Sequence, residues 1–230
     1  MRIHAPRVIL CFLAFLATMS ALAGQDLPTP RVVRQDLQPL PWRLGASDAE
    51  YKLRVAQAFG ARLACVGEDG VCIMKSPAFD AESLVTVRTK VGECEIVITR
   101  PSAQLHGLKR DAPAPDIREL RSDIDPKLAV RVAEAVRQML TRVSYQESSV
   151  DHFDGIIYEY FGWKDRYGQM AGKANNPMPG TRVRLLADVS DALIEFVECD
   201  KKLRVAAEST LQAAVTKLES DLAAQSQGRK

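Results

Sequence analysis

The side chains best able to do chemistry crowd into one stretch, Asp151 to Tyr167. Asp151, His152 and Asp154 set two carboxylates and an imidazole within four residues, a grouping that can ligate a divalent cation or tune an imidazole through a carboxylate. No companion ligand stands at a recognised metal-site spacing, and Asp154-Gly155 is an ordinary turn signal, so the cluster reads first as turn chemistry and no metal is expected. Glu159, between Tyr158 and Tyr160, is the next acid. Together Asp151, His152, Asp154 and Glu159 are the acid–base candidates of a glycan or peptide hydrolase. No nucleophile elbow supports them, and no Gly-rich loop opens a helix as a phosphate or dinucleotide cradle would. No cofactor is implied.

The same stretch is aromatic. Phe153, Tyr158, Tyr160, Phe161, Trp163 and Tyr167 fall within 15 positions. On a strand, Tyr158 and Tyr160 share one face, while Phe161 and Trp163 share the other. Tyr and Trp dominate interface hot spots, so Tyr158, Tyr160, Trp163 and Tyr167 are the candidate contact surface, with burial in a core as the competing reading.

The third set is the cysteines. Residues 1–23 read as a cleavable secretory signal: Arg2, His4 and Arg7, an apolar run from Val8, then Ala21-Leu-Ala23, with cleavage expected after Ala23. The run is shorter than the ~20 residues of a membrane span. Cys11 leaves with the signal, and Cys65, Cys72, Cys94 and Cys199 remain. An even number in an exported chain favours disulfides over zinc, whose paired C-x2-C unit is missing. A hairpin closing over Gly67-Glu-Asp-Gly70 would set Cys65 opposite Cys72, leaving Cys94 to pair with Cys199.

The elements that must position these residues follow from punctuation and period. Residues 24–46 hold Pro28, Pro30, Pro39 and Pro41 without periodicity and read as an extended arm. A capping box, Ser47 to Glu50, opens a helix ending at Gly60. Strands are predicted at 62–66, 71–75, 84–88 and 94–99, then a Pro/Gly loop over 101–115 that is a possible internal boundary. Asp125-Pro126 starts a helix with an apolar stripe from Leu128 to Val143, and a second strand pair is expected at 156–162 and 167–172. Thr181 begins a helix carrying Val183, Leu186, Val189, Leu193 and Phe196, followed by a stripe from Leu203 to Leu222 and a frayed tail at 226–230. The order implies an α+β fold over 47–225: two antiparallel strand pairs packed on amphipathic helices, with a long C-terminal helical segment.

Net charge is +2 for the whole chain, and removing the two signal arginines makes the remainder formally neutral, with no electrostatic footprint for nucleic acid. The expectation is an exported, periplasmic or secreted protein that binds a protein partner, as an inhibitor or immunity-type protein does. The alternative is the envelope hydrolase.

Overall fold

The computed structural model describes residues 36–38, 46–60, 70–90, 93–108, 112–143 and 155–227. The signal region, Cys65, Asp151, His152 and Asp154 lie outside them. Helix α1 (Ala46–Phe59) precedes four strands, β1 (Gly70–Pro77), β2 (Ser83–Lys90), β3 (Glu93–Pro101) and β4 (Ile117–Asp123). Helix α2 (Pro126–Leu140) leads to β5 (Ile156–Lys164) and β6 (Gly168–Asn175), then α3 (Arg182–Glu198), a 3-10 turn at Lys201–Leu203 and α4 (Arg204–Gln227).

The fold is α+β, but the strands do not form two separate pairs. They make one antiparallel sheet in the order β4-β3-β2-β1-β5-β6. Alternation shows that a strand has a buried face; it does not say which strand lies beside it. β1 pairs with β2 on one edge and with β5 on the other, Ile73 standing opposite both Val85 and Tyr160. Both edges of β1 are thus occupied, Cys72 standing opposite Thr86 and Phe161, while Cys65 of the expected hairpin lies outside the described residues. The 101–115 loop joins neighbouring strands, since Glu95–Pro101 and Ile117–Asp123 are paired across it.

Helices α2 and α3 lie on one face of the sheet, and α4 packs on those two helices. Their stripes are buried as the periodicity predicts: Val132, Val136 and Met139 of α2, Leu186 and Leu193 of α3, and Leu211, Leu218 and Leu222 of α4. With Val71, Ile73, Val85, Val87, Ile96 and Ile98 from the strands they form one core. Asp125 caps α2 by accepting from Leu128 N–H at 3.0 Å, and Thr181 caps α3 by accepting from Arg184 N–H at 3.1 Å. The stripe of α4 begins at Ala207, because Leu203 lies in the 3-10 turn and is exposed.

The opposite face is covered over part of its area by α1. Val55, Ala58 and Phe59 pack on Cys72, Met74 and Leu84 and on Leu105 from the loop after β3. Among the described residues no helix is long and apolar enough to cross a membrane.

Tyr158 and Tyr160 belong to the helix-covered core. Both are fully buried, 6.3 Å apart and nearly parallel, which corrects the expectation that they form a contact surface. The core accepts their hydroxyls because α3 brings partners: Tyr158 donates to the Asp191 carboxylate at 3.0 Å, and Ser190 Oγ lies 3.3 Å from the Tyr160 hydroxyl. Trp163 is half-buried beside the α1 cluster, and Tyr167 is exposed in the β5–β6 turn.

Cys94 and Cys199 stand as free thiols, so the expected bond between them is not formed. Cys199 caps α3, where Glu198 pairs with Arg100 at 2.8 Å near the C-terminal end of β3. Cys94 sits six residues earlier on β3, about 20 Å away along extended backbone. Each sulfur contacts a local carbonyl instead, Lys90 for Cys94 and Phe196 for Cys199.

Candidate functional site

The chemistry-bearing side chains gather on the α1 face. Its centre is Glu82, the residue before β2. Although only 1 % exposed, its carboxylate is satisfied, accepting from Leu105 N–H at 2.8 Å and His106 N–H at 3.3 Å. A buried carboxylate needs such donors to offset its desolvation. The contact holds the Gln104–Leu108 loop down, with Leu105 driven into the α1 cluster and Gln104 Nε2 donating to Ala78 O at 2.7 Å.

Clefts open on both sides of this latched loop. One, of about 370 Å³, is lined by Tyr51, Ser76, Phe79, Glu82, His106 and Asn176 among others. The other, of about 520 Å³, lies between α1 (Leu53, Arg54, Gln57) and the Pro113–Pro115 segment. Tyr51 anchors α1 in the first cleft: its hydroxyl donates to Ser76 Oγ at 3.1 Å, and its ring meets the His106 ring edge-on at 5.5 Å. Burial pushes the Tyr51 phenol well above its ordinary range; the bond to Ser76 opposes this, and the charges of Glu82 and Glu159 reinforce it. The rim carries exposed apolar side chains, with Phe79 86 %, Leu53 59 % and Ile157 42 % accessible.

Glu159 lies on this face, opposite Met74 on one side and Lys173 on the other. Desolvation raises its carboxyl above the usual range, and the charges of Lys52 and Lys173 offset part of the rise. A carboxyl so tuned has the character of a general acid. Of the four acid–base candidates, Glu159 is the described one, and it is brought near Tyr51 rather than shown beside His152. Among the described residues no group of three or more His, Cys, Asp or Glu is placed to hold a metal.

The sequence pattern does not single out Tyr51, Ser76 or Glu82; His106, beside them, is an exposed loop histidine. Glu82 had one visible signal, an acid just ahead of the strand predicted from Leu84, but its donors lie 23 and 24 residues on.

The chain matches no protein-family model, and neither the curated proteins nor the solved structures provide a match.

Proposed function

We propose that this is an exported envelope protein that acts by binding, and that its α1 face takes a segment of a protein partner. The observation that carries the reading is the pair of clefts flanking the latched loop and rimmed by exposed Phe79, Leu53 and Ile157. Contiguous exposed apolar side chains around formed clefts are the usual marks of a docking surface. An extended segment with two apolar anchors fits, one in each cleft, and the Glu82 latch keeps the wall between them rigid before the partner arrives. Export rests on the signal-like residues 1–23.

Tagged protein recovered from the periplasm tests this, with Phe79→Ser and Leu53→Ser as variants. Both residues are exposed, so thermal stability should stay nearly unchanged. The expected result is a stoichiometric partner on wild type that is lost from both variants. A partner held equally by all three proteins refutes the assignment to this face.

Glu159 supports a second reading, the envelope hydrolase. There a carboxyl raised by burial, close to Tyr51, serves as the general acid that protonates a leaving group. Turnover of a glycan or peptide that Glu159→Gln abolishes without loss of fold would favour it over binding.

A further inference from the structure

The outer edge of β4 is built to pair with itself, and we propose that the protein forms a two-fold dimer by antiparallel β4–β4 pairing, making one continuous sheet across two copies. β4 ends the sheet, and among the described residues no strand covers its outer side.

The hydrogen-bond phase of the edge is readable. Asp116 O accepts from Ser102 N–H at 2.8 Å, and Ile124 N–H donates to Cys94 O at 3.3 Å, so even-numbered residues of β4 point their backbone groups toward β3. Antiparallel ladders alternate these positions, so Ile117, Glu119, Arg121 and Asp123 turn their N–H and C=O groups outward. Edge pairing must match those odd residues with one another.

That requirement leaves few registers, and full overlap of Ile117–Asp123 together with charge selects one. With the two-fold axis at Leu120, Glu119 of each copy stands opposite Arg121 of the other, twice over. Leu120 meets Leu120 at a non-hydrogen-bonded position, where side chains approach most closely. Arg118 then faces Ser122, Ile117 faces Asp123, and no like charges oppose. Moving the axis one residue toward the N-terminus sets Glu119 against Glu119. Moving it the other way sets Arg121 against Arg121 and Glu119 against Asp123. Within one copy Arg121 lies 3.0 Å from Glu119 and 3.5 Å from Glu95 with its side chain 53 % exposed, so its guanidinium stands at the surface, within reach of a partner's Glu119.

Exposed apolar side chains stand on the same side as the edge. Leu120 is 39 % exposed, on the helix-covered side with Ile98. Arg204 of α4 hydrogen-bonds Ser122, and its chain neighbours Leu203 and Val205 are 58 % and 77 % exposed. Strand pairing alone buries too little for a stable dimer, so the second copy must also cover side chains of this kind beside the edge.

Sedimentation equilibrium of purified protein from 1 to 100 µM, with circular dichroism to confirm folding, tests the proposal through a charge swap. Wild type should reach twice the chain mass. Glu119→Arg and Arg121→Glu should each raise the dimer dissociation constant roughly tenfold or more, since each change turns two attractions into two repulsions. The double variant E119R/R121E restores opposite charges and should dimerise as wild type does. A wild type that stays monomeric throughout, single variants that dimerise undiminished, or a folded double variant that fails to recover would each overturn it. The last outcome would mean a site where the original side chains, not the pairing, matter.

Discussion

High pH should unfold this protein through its buried tyrosines. Burial is the main reason the Tyr158 and Tyr160 phenols are held far above their ordinary range; the Asp191 charge adds to it for Tyr158, and the bond to Ser190 opposes it for Tyr160. An unfolded tyrosine ionises near pH 10. Above that pH the unfolded chain releases protons that the folded chain keeps, so stability falls as pH rises. Each such group contributes about 1.4 kcal/mol per pH unit, and the two together about 2.7. Half-buried Tyr51, also raised, steepens the decline. Against a typical total of about 5–15 kcal/mol, two or three pH units above 10 bring the fold near its limit. Urea unfolding at pH 9.0, 10.5 and 11.5 measures the slope, and phenolate absorbance followed beside far-ultraviolet circular dichroism shows when the rings ionise. Tyr160→Phe should flatten the slope by about 1.4 kcal/mol per pH unit, while at pH 7 losing only about 0.5–1.5 kcal/mol for the Ser190 contact. If all five tyrosines ionise before any loss of ellipticity, or if Tyr160→Phe leaves the slope unchanged, the rings are not sealed in the core and the burial argument fails.

Glu159 titrates by the same logic and with the same sign, at the acid end of the range. Its folded carboxyl is raised, so stability declines as pH rises from about 4.3 through that raised value, and the penalty persists above it. Glu159→Gln should therefore be more stable than wild type at pH 7, with the difference closing near pH 4; a constant difference across that range, read by urea unfolding, contradicts the desolvation argument. Glu82→Ala removes the acceptor for Leu105 N–H and His106 N–H and should cost about 2–3 kcal/mol, with faster hydrogen exchange at the Leu105 amide. A change under about 0.5 kcal/mol, or unchanged protection at Leu105, shows that the loop stays down without the latch.

Helix starts were legible because the cap and the first turn lie within four residues of each other: Asp125 with Pro126, and Thr181 before Val183. Apolar stripes were legible for the same local reason. Strand neighbours were not, since the Val71–Val87 and Ile73–Tyr160 pairings join segments that no short-range signal links. β4 escaped notice because Ile117-Arg-Glu-Leu-Arg-Ser-Asp123 lacks apolar alternation, as an edge strand with one side toward water does. The tyrosine face was misassigned for a subtler reason. Pattern says that Tyr158 and Tyr160 differ in side from Phe161 and Trp163, but the choice of core side depended on Asp191 and Ser190, some 30 residues away on α3. Glu159 was visible as an acid between two tyrosines, while its neighbours Tyr51 and Glu82 reached it only through the β1–β5 pairing and the docking of α1.

The two edges of the sheet are treated differently, and the difference bears on what the edges are for. At β6 the chain closes its own edge: Gln38 exchanges two backbone hydrogen bonds with Lys173, at 2.9 and 2.7 Å, and Leu37 is buried in the main core. Arg182, 3 % exposed, holds that closure by pairing with Asp36 at 3.2 Å and with Asp221 of α4 at 2.6 Å. Burying an arginine carries a large desolvation cost, so here the fold commits strongly to keeping an edge shut. β4 receives no comparable cover among the described residues. It carries charge instead, which by itself repels casual strand addition. Charges placed only to repel would work best with one sign along the edge. The alternation of Arg118, Glu119, Arg121 and Asp123 repels the registers centred on 119 and 121 and favours the one centred on Leu120, which also overlaps the whole strand, so the same residues that discourage indiscriminate pairing favour one partner geometry.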